Sequence, residues 1–511
     1  MKSNSFVLKL AIFATGLSGI VAEYTLSTMA SYFLGDSVLH WTMIVSTMLF
    51  AMGFGSRLSK FIESNLLENM ILVEFTLSIL TTTSPLMVYL IAGYTDYKGF
   101  FIYFFAILIG LLIGLEIPLV TRINDSYENL RTNIAAVMEK DYYGSLLGGA
   151  FFAFVGLPYL GLTYTPFVLG LVNFGVAIWL YFKLYELVEK KYHFRVKTYL
   201  AFSLFFIFAG LFLSKPIVIF GEQARYKDLV IYSQQSHYQK IVITQWKEHY
   251  WLFLNGNQQL STLDEFLYHE PMVHPVMNLA QNAENILVLG GGDGCAAREL
   301  LKYKSVKKIT LVDLDPAMTD LGQKNEIFVR INQNSMNNPK VKIVNEDGFR
   351  FLEKSQDYFD LILVDLPDPK SIEVNKLYTN SFYQLCYRQL RPNGVFITQS
   401  GSPYYATKAF RCVEKTMQSV GFNTLPLHNQ ILTMGQWGWI VGHKNLKNEE
   451  LKHIFRQMDF KNIDLRWLNK EAMLLITSFG KDLKEVGEVE INTIQNPVLM
   501  RYYKNGNWDL F

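Results

Sequence analysis

Seven long apolar runs in the first 220 residues constrain this chain more than any other feature. They fall at roughly 7–34, 38–56, 69–93, 100–120, 144–162, 164–182 and 198–220. Each approaches or exceeds the ~20 residues a helix needs to cross a hydrocarbon core. A single run of this kind suits a buried helix in a soluble protein. Seven in series predict a multi-pass α-helical membrane domain over 1–220. The first run is longer than the apolar stretch of a signal peptide and more spans follow, so it is expected to remain. Glu23, Glu74 and Glu116 lie inside these runs or near their ends, where charge is costly and such side chains face a bundle interior or cavity. The glycines of "GFGS" at 53–56 and "GLLIG" at 110–114 predict close helix contacts.

Basic residues gather at Lys2/Lys9, Arg57/Lys60, Arg122/Arg131/Lys140 and from Lys183 to Lys197, while the turns near 31–40, 92–99 and 157–165 carry almost none. The positive-inside rule then puts the N-terminus in the cytoplasm. Seven crossings would leave the rest of the chain outside, and an even number would return it to the cytosol.

The composition excludes several function classes. With 511 residues, 50% of them hydrophobic, the chain is too long and too apolar for one soluble domain. A net charge of +2 without long Lys/Arg runs argues against nucleic acid as a partner. Cys295, Cys386 and Cys412 are scattered, with no CxxC pair and no histidine cluster at zinc spacing. They read as buried small hydrophobes, and no metal is expected.

From residue 230 the pattern changes to short β-branched and alternating runs. "YQKIVITQW" and "HYWLFLNGNQQL", with Asn255-Gly256 as a hairpin turn, predict a small antiparallel sheet. "STLDEFLYHEPMVHPVMNLA" predicts a helix capped by Thr262 or Asp264. Then "NILVLG", "KKITLVDLD", "KVKIVNED", "FDLILVDL" and "GVFITQS" alternate with helical stretches, the pattern of a parallel sheet covered by helices on both faces. The domain boundaries read as 221–280 for the small sheet and linking helix, 281–443 for a Rossmann-like (AdoMet-type) α/β domain, and 444–511 for an appended C-terminal segment.

Ligands of such sheets lie at the carboxyl ends of the strands. The first strand ends in "GGGDG" at 290–294; Cys295 stands where a dinucleotide fingerprint wants glycine, so the shorter GxGxG form with Gly290 and Gly292 fits better. The second ends in Asp313, about twenty residues on, placed to accept from ribose hydroxyls. The third ends in Glu346-Asp347-Gly348, suited to an adenine amino group, and the fourth in Asp365-Leu366-Pro367-Asp368-Pro369. With Asp293 added, one rim gathers several acids. Such a site suits a cation, repels the carboxylate of ordinary S-adenosylmethionine and welcomes an aminopropyl ammonium.

These residues resemble the spermidine synthase family of polyamine aminopropyltransferases. The match runs over about 238–443 through "YQ" at 238–239, "DEFLYHE" at 264–270, "GGGDG", "VDLD" at 312–315, "EDG" at 346–348 and "DLPDP" at 365–369. The apolar first half and the tail "NPVLMRYYKNGNW" resemble the membrane-embedded bacterial branch of that family. The resemblance implies transfer of an aminopropyl group from decarboxylated S-adenosylmethionine, a co-substrate, to putrescine or a related amine, with no cofactor. It implies Asp365 as general base. Gln239, Asp313, Asp347, Gly348, Gly290 and Gly292 would meet the donor or methylthioadenosine, and His269, Asp293, Tyr268, Asp368 and Gln259 the amine groups. Self-association as a homodimer is implied as well. Donor supply favours a catalytic half in the cytoplasm, against the odd span count.

Alone, Gln239 reads as an ordinary strand residue, Tyr268 as a core aromatic and His269 as a surface histidine; their register with the other motifs favours the site. His274 reads as a helix-surface histidine, and Lys408 and Arg411 as a solvated face. Two departures from the family pattern concern the acceptor side. "DPKSIE" puts Lys370 beside the fourth-strand motif, and "ILTMGQWGW" at 431–439 offers Leu432 where the family usually brings a tyrosine. The alternatives to aminopropyl transfer are a methyltransferase on the same sheet and a membrane polyamine transporter or sensor with a non-catalytic domain.

Overall fold

The computed structural model describes residues 2–35, 37–95, 97–479 and 487–508, which form two units, Met1–Val230 and Ile231–Phe511. The first unit consists of α1 (Lys2–Leu34), α2 (Ser37–Leu58), α3 (Leu66–Ala92), α4 (Lys98–Asn124), α5 (Leu130–Phe151), α6 (Gly161–Lys183) and α7 (His193–Gln223). Among the described residues, six unbroken helical stretches are long and apolar enough to cross a membrane, the fifth running from Leu130 to Lys183. That stretch reverses at Gly161 (φ 61°), where Thr165 donates back to the Gly156 carbonyl at 2.9 Å, so α5 and α6 are separate arms.

The contacts fix the direction of every helix. Thr15 reaches Glu74 and Phe33 meets Tyr89, so α1 and α3 run together. The close approaches of Gly144 to Phe13 and of Tyr24 to Phe152 align α5 with α1. Ser203 on Phe75 and Gly221 on Tyr89 align α7 with α3. Leu34 against Gly99 and Gly19 against Ile113 set α4 the opposite way, with α2 alongside it through His40–Tyr103 and Met52–Gly114. Phe174 on Phe75 and Gly170 on Ser78 set α6 against α3. The seven helices therefore alternate. Lys9, Arg122 and Arg195 lie at one end, bonded to Glu128, Ser59 and Glu68, while Arg225 sits over Tyr32 at the other.

Small residues draw these helices together: a Cβ at Gly55 would stand 2.1 Å from the Leu111 carbonyl and one at Gly114 2.0 Å from that of Met52. Gly53, expected to do the same, faces open space. Glu23, Glu74 and Glu116 are buried, and Thr15 donates to Glu74 at 2.8 Å.

The second unit opens with an antiparallel sheet, β1 (Leu229–Gln235), β2 (Lys240–Trp246), β3 (His249–Leu254) and β4 (Asn257–Ser261), in that spatial order. Asn255 and Gly256 both adopt positive φ (51° and 80°), the two-residue turn whose twist matches its flanking strands. Helix α8 (Phe266–Leu279) follows, but neither Thr262 nor Asp264 caps it. Thr262 accepts from the Tyr250 amide, and Asp264 is taken by the Thr433 amide at 2.7 Å.

The main sheet joins β5 (Asn285–Gly290), β6 (Lys308–Asp313), β7 (Val341–Asn345), β8 (Phe359–Asp365), β9 (Leu390–Gln399), β10 (Asn423–Ile431) and β11 (Gly435–His443) in the order β10-β11-β9-β8-β5-β6-β7. It is mixed, not parallel throughout: β5 to β9 pair in parallel, whereas β11 runs antiparallel to both β9 and β10. Successive residues of a strand feed opposite faces. Ile286 and Val288 pack under α8 with Met272 and Val273, and Leu287 and Leu289 pack on the other side with Phe349 and Phe382. The chain beyond 444 is folded into both cores, through Leu451, Phe455 and Met473 on one face and Val498, Leu499 and Tyr503 on the other. The three cysteines are free and buried.

Candidate active site

The register brings the acidic strand ends to one rim. Gly290 lies opposite Asp365 and Leu289 opposite Val312, so β5, β6 and β8 finish side by side. The turn after β5 requires glycine. Gly290 has φ 83°, and a Cβ there would meet the Asp365 carbonyl at 2.0 Å. At Gly292 a Cβ would fall 2.6 Å from Asp313 Oδ2. The backbone thus passes close to the Asp313 carboxylate. Asp293 is held by the turn itself, its Oδ1 accepting the Cys295 amide at 2.7 Å as α9 (Cys295–Leu301) begins.

Three groups converge above this turn. A carboxylate oxygen of Asp293, one of Asp365 and a ring nitrogen of His269 lie within 4.8 Å of one another. The Tyr268 hydroxyl donates to Asp365 Oδ1 at 2.7 Å, and burial together with the Asp365 charge pushes that phenol well above its usual range. Burial, reinforced by Asp293, raises the Asp365 carboxyl to about 6 against the opposing pull of His269 and the Tyr268 hydrogen bond. Burial alone would lower His269; the Glu265 carboxylate, 3.0 Å from Nδ1, and then Asp293 and Asp365 raise it to about 9.

Behind the histidine, Arg298 grips Glu265 through two nitrogens at 3.0 and 2.8 Å and pairs with Glu299 at 2.7 Å. Burial opposes ionisation of Glu265, but His269 and Arg298 together hold its carboxyl down at about 2. This network was not legible in the sequence beyond one local signal, the spacing of Glu265 and His269, four apart on a helix. His274 belongs to it and is fully buried, with Nε2 2.8 Å from Glu299, rather than on the helix surface.

Beside this centre, burial raises Asp313 to about 6. Its Oδ1 accepts the Asp315 amide at 2.9 Å. Asp315, also missed, accepts from Gln239 at 2.9 Å and Ser236 at 2.7 Å, tying the β1–β2 turn to the end of β6. Its signal was Asp-Pro opening a helix, since it caps Pro316–Lys324. Asp347 caps the helix Gly348–Lys354, accepting the Arg350 amide at 2.9 Å with Lys376 at 3.3 Å, and Gly348 lies over Leu289. Asp368 receives the Tyr503 hydroxyl at 2.6 Å and has Lys370 3.6 Å away. Gln259, in β4, bonds only within its own hairpin, to the Asn257 and Gln258 carbonyls, among the described contacts. Leu432 is 68% exposed in the β10–β11 turn.

Residues 265–453 match the spermine/spermidine synthase domain family. Polyamine aminopropyltransferase 2 of Aquifex aeolicus (strain VF5) is 40% identical over 506 residues, covering 98% of this chain and 99% of that protein. The polyamine aminopropyltransferase of Leptospira interrogans serogroup Icterohaemorrhagiae serovar copenhageni (strain Fiocruz L1-130) is 37% identical over 496 residues, with 97% of each covered. Among solved structures, a spermidine synthase in complex with the transition-state analogue AdoDATO is 28% identical, with a TM-score of 0.45 over 49% of this chain and 85% of that one.

Proposed function

We propose, from the premise that this chain belongs to the spermine/spermidine synthase family of polyamine aminopropyltransferases, a division of labour among its rim residues. The family transfers an aminopropyl group from decarboxylated S-adenosylmethionine to an amine, without a metal or other cofactor. In this reading Asp313 takes the donor's ribose, Asp347 and Gly348 its adenine, and Gln239 its thioadenosine, while Gly290 and Gly292 let the backbone approach. Asp293 takes the aminopropyl ammonium. His269, Tyr268, Asp368 and Gln259 line the acceptor side, with putrescine or a related amine as the acceptor.

An ammonium cannot attack carbon, so the acceptor nitrogen must first lose a proton. Asp365 receives it while the lone pair attacks the carbon beside the sulfonium; the new N–C bond forms, the S–C bond breaks, and methylthioadenosine leaves neutral. A base near 6 transfers protons at neutral pH more readily than one near 4, yet remains ionised there. The observation that carries this reading is the position of Asp365: hydrogen-bonded to Tyr268 and sharing one small volume with Asp293 and His269.

The apolar helices of the first unit support a multi-pass membrane anchor, the form of the family's membrane-embedded branch. The test of the reaction is to incubate the purified protein with decarboxylated donor and putrescine and to measure methylthioadenosine. Steady release is expected, and Asp365→Asn should lower it at least ~100-fold, the contribution of a general base. No release from folded wild-type protein, or an unimpaired Asp365→Asn variant, contradicts the assignment.

A further inference from the structure

The acceptor side of this site is closed by a residue from the far end of the chain. Tyr503 lies on the helix Val498–Lys504, is 3% exposed, and gives its hydroxyl proton to Asp368 Oδ2 at 2.6 Å. Its ring packs on Trp508 at 4.6 Å, whose indole nitrogen donates to the Tyr503 carbonyl at 2.7 Å. The helix is tied down from inside: Asn492 accepts the Leu499 amide and donates to the Tyr378 carbonyl. A phenol fixed this firmly is an anchor for the carboxylate it touches.

Lys370 approaches the same carboxylate from the other side. Its Nζ lies 3.6 Å from Asp368 Oδ2, 5.5 Å from the centre of the Tyr503 ring, and donates to Asn257 Oδ1 at 2.7 Å on the hairpin. The ammonium of this lysine therefore occupies one of the positions around Asp368 that a second ammonium would seek. The Lys370 side chain is 43% exposed and long, so it can swing into solvent, whereas Tyr503 cannot.

We propose that Tyr503 and Lys370 set acceptor specificity. Tyr503 aims Asp368 into the pocket, and Lys370 is an internal cation that the far ammonium of a diamine displaces from Asp368 and from the hairpin. Tyr503 is thus a positioning residue, supplied by the terminal helix in place of the tyrosine that position 432 lacks. This inference rests on the acceptor-side reading of Asp368 given above.

The experiment compares putrescine with n-butylamine, which has the same attacking amine and no far ammonium. Tyr503→Phe is expected to lower the putrescine-to-butylamine ratio of kcat/KM about tenfold, the effect of losing one hydrogen bond to a charged group. Lys370→Met is expected to lower KM for putrescine at least threefold and leave butylamine unchanged. On an Asp368→Asn background the Tyr503→Phe effect on the ratio should vanish, as a coupled pair requires. Calorimetric binding of methylthioadenosine, unchanged in each variant, reports an intact fold. If wild-type protein turns over but neither variant moves the ratio, or both amines respond equally, the specificity device is overturned and aminopropyl transfer stands. If wild-type protein turns over neither amine, the functional reading fails and this inference with it.

Discussion

As pH rises Asp365 gains its charge near 6 and His269 loses its charge near 9, and their pairing should shape the pH profile. As the proposed general base Asp365 must be ionised to accept a proton, so kcat/KM is expected to fall about tenfold per pH unit below about 6. On the alkaline side, loss of the His269 proton near 9 removes the cation beside that base, giving a second limb. Asp365 also carries a stability consequence. Its folded value, near 6, lies above the ordinary carboxylate value of 3.8, so its contribution to stability is fully present only below about 3.8 and is lost as pH rises through 6. Asp365→Asn, which keeps an acceptor for Tyr268, is therefore expected to raise the Tm above pH 7, with the gain shrinking below pH 6. Thermal melts across that range, beside rate profiles, check both signs.

At the scale of elements, turns and buried strands were legible in the sequence, whereas the local cap Asp315 and contacts with distant partners were not. Asn255-Gly256 announced its hairpin, and β5, β6, β8 and the second half of β9 announced themselves because a strand buried on both faces reads as an apolar run, while β7, only partly buried, showed itself by its β-branched residues. The strand-end acids were legible for the same reason: the ends of such runs are visible, and parallel register then aligns Gly290 with Asp365. The start of α8 was misread because the competitor for Asp264, Thr433, lies 169 residues away. The antiparallel pair β10–β11 was not read as strands, only 431–439 being taken as an acceptor-side segment, and Tyr503 meets Asp368 across 135 residues. The turn after β5 offers the sharpest test of an element. Gly290→Ala places a Cβ 2.0 Å from the Asp365 carbonyl at φ 83°, which should destabilise by roughly 2–4 kcal/mol and weaken methylthioadenosine binding together. Denaturant melts and calorimetry would reveal a tolerated alanine if the turn is less constrained.

For the whole molecule, the proposed membrane anchor makes the alternation of seven helices decide on which side the second half of the chain begins. The apolar runs predicted seven crossings, and the reversal at Gly161 separates the fifth from the sixth. Lys9, Arg122 and Arg195 share one end of the bundle, whereas Arg225 leaves from the end where Tyr32 lies. By the positive-inside rule, a reporter fused after residue 225 is expected to report the non-cytoplasmic side, contrary to the cytoplasmic location that donor supply suggested. A fusion that reports the cytoplasm would mean that one helix does not cross.

The rim of acids ties both halves of this reading to one chemistry, a donor bearing a free propylammonium. Titration calorimetry with the decarboxylated and the carboxylated forms of S-adenosylmethionine tests it most directly. Tighter binding of the decarboxylated form, with Asp293→Asn narrowing the difference, is the result this structure predicts; equal affinity, or preference for the carboxylated form, would contradict it.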